Sequence, residues 1–160
     1  MGVINVTSAN QAILTLGTTE ALAVPGVTNG MVIPLMQDVT IGTSPGSVRY
    51  STLDLTSSRA FTTVNENTLS GNMLVDEDTF FGPASAGGNN TVADKGLFST
   101  STEKTEIFFS VAFEGAASGD HYIKGKGFIG GLAPAASMDA AVWITPMEII
   151  VNGDLAKATV

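Results

Sequence analysis

The chain has no cysteine in 160 residues and a single histidine, His121. Disulfides and thiolate chemistry are excluded, and a zinc site has almost nothing to build on. Charge is also sparse: 14% of residues are charged against 44% hydrophobic, which is apolar for a soluble monomer and implies surface buried by partners. Basic residues are the scarcer sign, 7 against 15 acidic, for a net charge of −8. Such a chain does not grip nucleic acid electrostatically, although it suits a channel through which nucleic acid must slide. No apolar run reaches the roughly 18 residues that a bilayer-spanning helix needs. The opening Met1-Gly-Val-Ile-Asn-Val-Thr-Ser8 lacks a basic start and apolar run, and Val6 stands where a myristoylation signal needs Ser or Thr. No membrane association and no cofactor are expected.

What is present is β patterning punctuated by glycine. In Glu106-Ile-Phe-Phe-Ser-Val-Ala-Phe-Glu114, Ile107, Phe109, Val111 and Phe113 alternate with Glu106, Ser110, Ala112 and Glu114, which predicts one apolar and one small or charged face. Phe108 breaks the alternation and implies a second contact on the outer face. Two further strands follow, His121 to Gly131 and Val142 to Gly153. Upstream, Met31 to Met36 and Val39 to Gly42 read as strand before a turn at Thr43-Ser-Pro-Gly46. Ser47 to Leu53 has β character through Val48, Tyr50 and Thr52, and Thr68 to Val75 resumes alternation, with Leu69, Met73 and Val75 facing one way. The polar excursion between them, Asp54 to Glu66, predicts a hairpin with a long functional tip. Thr91 to Thr102 is the best helix candidate, with Thr91 as cap, Asp94 three residues on, and Val92, Leu97 and Phe98 as its buried stripe. Residues 1–30 are expected as an N-terminal arm and entry segment, with Ala12 to Gly17 as a short strand or arm contact, and 31–160 as one β-sandwich domain.

Chemical motifs fail one by one. From Asp76-Glu77-Asp78, an EF-hand loop would need glycine at the sixth position and glutamate at the twelfth; these are Phe81 and Gly87. The run is expected as a solvated turn or a subunit contact. Asp120 and His121 are neighbours on a strand and point to opposite faces, so the carboxylate is poorly placed to orient the imidazole. Lys124-Gly-Lys-Gly127 lacks the spacing and the following helix of a phosphate loop, and its lysines are expected to meet carboxylates of a neighbouring strand or subunit. Trp143, Phe108, Phe109, Phe113 and Phe128 are expected in the core. No catalytic residue, metal ligand or enzyme activity is expected.

Two stretches resemble the major tail (tail tube) proteins of long-tailed bacteriophages. One is Val48-Arg-Tyr-Ser-Thr-Leu-Asp54 with Ser58-Arg59 and the return at Thr68 to Val75, similar to a "Thr-Thr-Leu-Asp" stretch before a long loop, with Ser51 replacing the first threonine. The other is Tyr122-Ile-Lys-Gly-Lys-Gly-Phe-Ile129, Ala133 to Ala141 and Ile149 to Gly153, similar to a "Lys-Gly" strand, a "Ser-x-x-Asp" turn and a last strand ending in glycine, although Pro146 interrupts that strand. The likeness spans roughly residues 31 to 153.

The resemblance implies a mainly β fold, a β-sandwich or partial barrel with one short flanking helix and a long hairpin loop. It implies hexameric rings stacked into a tube in a virion tail, assembled in the host bacterial cytoplasm. Tape-measure and tail-terminator proteins are implied as partners, and DNA passes through the channel unbound. Leu53, Asp54, Leu55, Arg59 and Phe61 are the expected inter-subunit contacts. Glu106, Glu114, Asp76, Glu77 and Asp78 are the expected lumen residues, on an inner wall that is neutral or acidic. The alternative is a capsid decoration protein, and behind it a non-viral β-sandwich binding module.

Overall fold

The computed structural model describes residues 12–33, 36–51, 57–84, 91–136 and 142–160. In chain order these form β1 (Ile13–Gly17), a 3-10 turn (Glu20–Ala23), β2 (Met31–Val32), β3 (Met36–Tyr50), β4 (Arg59–Leu74), α1 (Glu77–Phe81), α2 (Val92–Thr102), β5 (Ile107–Ala112), β6 (His121–Leu132), β7 (Ala135–Ala136), β8 (Trp143–Val151) and β9 (Ala156–Thr159). The strands make one antiparallel sheet in the order β2-β1-β5-β6-β8-β4-β3, with β7 on β8 and β9 on β6. Strand β6 is where the sheet divides. Its first residues pair with β9 on one side, and from Gly127 onward that side pairs with β8.

The sheet rolls around one core without closing into a barrel. Leu14 and Leu16 of β1, near one end of the strand order, share an apolar cluster with Leu69 and Met73 of β4, near the other end. Phe109 and Val111 of β5 and Met147 and Ile149 of β8 fill the middle, and Val92 and Leu97 of α2 close the core from above. A cleft of about 510 Å³ remains between Val39 and Ile41 of β3 and Val111 of β5, bordered by Phe113. The fold is thus mainly antiparallel β with, among the described residues, one helix of more than two turns, an open barrel of the kind that the resemblance implied.

Within the expected entry segment, the stretch Ala12 to Gly17 contains strand β1, which pairs with both β2 and β5, and Leu14 and Leu16 are almost fully buried. The 3-10 turn and the loop after it pack on the outer side of β1 and β5, so Ser110 and Ala112 are buried as fully as Phe109. β5 therefore has two buried faces, in line with the second contact on the outer face that Phe108 implied. Two local findings differ from the sequence reading. The expected turn at Thr43-Ser-Pro-Gly46 is absent, because β3 runs straight through it with a register shift between Pro45 and Ser47. A bulge there absorbs the missing N–H of Pro45. Pro146, too, lies inside β8, in a gap of the ladder between Leu132↔Met147 and Ala135↔Ile144. The Thr145 hydroxyl fills that gap, accepting from the Ala133 N–H at 3.1 Å and donating to the Pro146 carbonyl at 3.0 Å.

Helix α2 starts as its sequence predicts. The Thr91 hydroxyl accepts from Asp94 N at 3.1 Å and the Asp94 carboxylate reaches back to the Thr91 N–H, a reciprocal cap. Gly96 interrupts the helix with φ 75°, where its backbone meets that of Phe81 and Gly82 at the end of α1. A side chain there would stand 2.4 Å from backbone atoms, so glycine is what lets α1 and α2 touch. The kink turns Leu97 into the core and leaves Phe98 half exposed, which corrects the expected stripe.

Candidate assembly surfaces

The long tip predicted from polarity is mostly strand. Beyond Thr68, β4 leaves β8 and pairs only with β3, from Asn67↔Thr43 out to Arg59↔Tyr50. The result is a two-stranded ribbon projecting from the sheet. Paired residues share a face, so Val48, Tyr50, Arg59 and Phe61 lie together on one side. The Tyr50 and Phe61 rings are 6.0 Å apart, and Phe61 keeps 54% of its surface in water. Val64, on the other side, is 85% exposed, so none of the described residues covers the ribbon there. Of the expected contacts, Arg59 and Phe61 are here; Leu53, Asp54 and Leu55 lie outside the described residues.

A second surface is the outward side of the sheet at β3, β4 and β8. In β4, Leu69, Gly71 and Met73 are buried and Thr68, Ser70 and Asn72 point the other way. The register sets beside them Asp38, Thr40 and Gly42 of β3 and Pro146, Glu148 and Ile150 of β8. Apart from Gly42, Pro146 and the exposed Ile150, these residues are small and polar, with two carboxylates and no cation among them. Asp38 is fixed to Asn72, accepting from its backbone N at 2.7 Å and its Nδ2 at 2.8 Å. The sequence showed the polar alternation of β4 but not which strands flank it, so Asp38 and Glu148 were missed.

The five expected lumen residues are not brought together. Glu106 sits at the rim of this face, where it accepts from Asn152 Nδ2 at 2.7 Å and pairs with Lys126 at 3.5 Å. Glu114 is exposed beyond the end of β5. Asp76 caps α1, accepting from Thr79 N at 3.1 Å, and Glu77 and Asp78 occupy its exposed first turn. Carboxylates are favoured there by the helix dipole, which explains an acidic run that polarity alone read as a turn. Because α1 rests on α2 and α2 covers the core, these three stand on the opposite layer from the polar sheet face.

The lysines find partners within the subunit. Lys95 meets Glu103 at 2.7 Å, Lys126 meets Glu106, and Lys124 lies against Glu20, whose hydrogen bond raises the lysine above its usual range. His121 opens β6 in solvent, its Nδ1 3.2 Å from the Thr159 hydroxyl. Among the described residues no three His, Asp or Glu side chains converge as metal ligands. Trp143 and Phe113, expected in the core, are 56% and 41% exposed, because each stands at the end of a strand where the sheet no longer covers it.

No family model matches the sequence, and no curated protein matches it. Solved structures match the fold. The chain aligns with a protein in the virion of a native gene transfer agent particle at TM-score 0.64 and 11% identity, over 96% of this chain and all of the other. It aligns with the tail of an empty particle of that kind, refined with C6 symmetry, at TM-score 0.62 and 12% identity, covering 91% and 96% of the two chains. The SPP1 tail tube gives TM-score 0.63 and 12% identity over 96% of this chain and 80% of that one. The first of these neighbours is a virion structure and the other two are tail structures. The fold is that of a tail tube protein, as the sequence resemblance implied.

Proposed function

We propose that this chain is a structural tail protein that assembles into six-membered rings, stacked as a tube through which DNA leaves the virion. The observation that carries this is the near full-length fold match to tails, one of them C6-symmetric. Two features of the chain agree. Strand β3 is 15 residues long and pairs only with β4 among the described residues, an open edge that a monomer would not tolerate well. Pairing it with another copy removes the hazard, and an axial offset turns the contact into a filament.

The polar face of β3, β4 and β8 is our candidate for the inner wall. Lysines or arginines there would release counterions on every phosphate contact and hold the DNA. Asp38 and Glu148 instead repel it weakly, over a screening length of about 8 Å at physiological salt. Assembly in the host cytoplasm and contacts with tape-measure and terminator proteins follow from the same reading. Size-exclusion chromatography with light scattering tests it: species in multiples of six subunits support it, and a strict monomer at all concentrations contradicts it.

A further inference from the structure

Both arginines of the chain, Arg49 and Arg59, stand on the projecting β3–β4 ribbon, and neither has an ion-pair partner among the described residues. Arg59 shares its face with Val48, Tyr50 and Phe61. Elsewhere on the chain is a surface of matching chemistry. Phe80, Phe81 and Phe98 form a ring cluster with centroids 4.9 to 6.0 Å apart, in which Phe81 is 59% and Phe98 50% exposed. Leu132 and Pro134 complete a shallow cleft of about 270 Å³ beside them. The segment Asp76 to Phe81 carries three carboxylates and no basic residue, and neither Glu77 nor Asp78 makes an ion pair among the described residues. One surface is aromatic and cationic, the other aromatic and anionic. Both remain exposed on the same subunit, so neither covers the other within it.

We propose that the ribbon of one copy docks on the α1–α2 face of the next copy, with Phe61 in the Phe81–Phe98 cleft and Arg59 facing Glu77 and Asp78. This rests on the assembly proposed above and names its receptor surface. The contact joins two different patches, so it repeats from copy to copy without using itself up. Aromatic anchors buried in a cleft supply the affinity, and the charges at its edge fix the register.

The absence of cysteine makes a direct test clean. Val48→Cys, beside Phe61 on the ribbon, and Thr102→Cys, on the wall of the cleft, keep the aromatic anchors in place; the two variants are mixed with a mild oxidant and resolved without reductant. Docking holds the two thiols at a high effective concentration, so the mixture should yield roughly tenfold more disulfide-linked dimer than either variant alone. In parallel, Arg59→Glu should raise the concentration needed for assembly by roughly tenfold, Glu77→Arg with Asp78→Arg should do the same, and the combined chain should recover. If wild-type protein forms six-fold tubes but the mixture gives no excess of mixed dimer, the receptor assignment is wrong and the tube reading stands. If mixed dimer forms while the wild type builds no rings, the docking stands and the tube reading falls. If neither rings nor mixed dimer form, both fall.

Discussion

Gly96 is the residue on which the helical layer turns. Its φ is 75°, and a Cβ would meet the backbone of Phe81 and Gly82 at 2.4 Å. Gly96→Ala combines backbone strain with a clash that no side chain can relieve, and should cost about 1–3 kcal/mol or more, read as a shift in denaturant midpoint. Gly119→Ala is the control, because its φ of 99° carries strain but nothing lies within 4 Å. It should cost less than Gly96→Ala. Thr91→Ala removes the cap of α2 and should cost about 1 kcal/mol. The cap was legible, since Thr91 and Asp94 stand at the required spacing. The exposure of Phe98 was not, because helical periodicity cannot register a kink. Lys124 is a contrasting case: its raised pKa adds stability that persists at neutral pH and fades as pH rises through the lysine range. Glu20 is mostly in water and Lys124 about a third exposed, so solvent screens the pair and Glu20→Gln should leave thermal stability nearly unchanged.

At the scale of elements, the ribbon carries the most specific expectation. Between Ser44↔Glu66 and Tyr50↔Arg59 no residue is buried, so this part of the hairpin adds nothing to the core. Replacing residues 46–64 with a two-residue Asn-Gly turn should leave the thermal midpoint close to wild type while abolishing assembly. Assemblies of wild-type length from that variant would remove the ribbon from the account. Sequence showed that a hairpin was here, through Val48, Tyr50 and the alternation after Thr68. It did not show that residues 59–66 are strand, because a ribbon exposed on both faces has no apolar period to detect. On β5, Phe108 signalled a contact on the face that Ser110 and Ala112 share, but the sequence did not show that the 3-10 turn segment supplies it.

Across the whole molecule, the scarcity of basic residues becomes a matter of placement. Three of five lysines are paired within the subunit, both arginines are on the ribbon, and no residue from Asp38 to Gly42 of β3, Thr68 to Asn72 of β4 or Pro146 to Ile150 of β8 is a cation. Ser70→Lys, on the exposed side of β4, should leave the fold intact and make assembled protein retain duplex DNA at low salt, released as salt rises. Unchanged DNA retention would mean that this face does not line the channel. The sign of the wall could be argued from net charge alone. Its residues could not, because they depend on which strands flank β4, a long-range pairing that no local pattern encodes.

Electron cryomicroscopy of the protein assembled at high concentration addresses the central claim most directly. The account predicts a hollow tube of stacked six-fold rings, with Thr40, Ser70 and Glu148 on its inner wall and the β3–β4 ribbon crossing between copies. A monomer, a closed trimer, or a tube whose channel is lined by Arg49, Lys124 and Lys126 would contradict it.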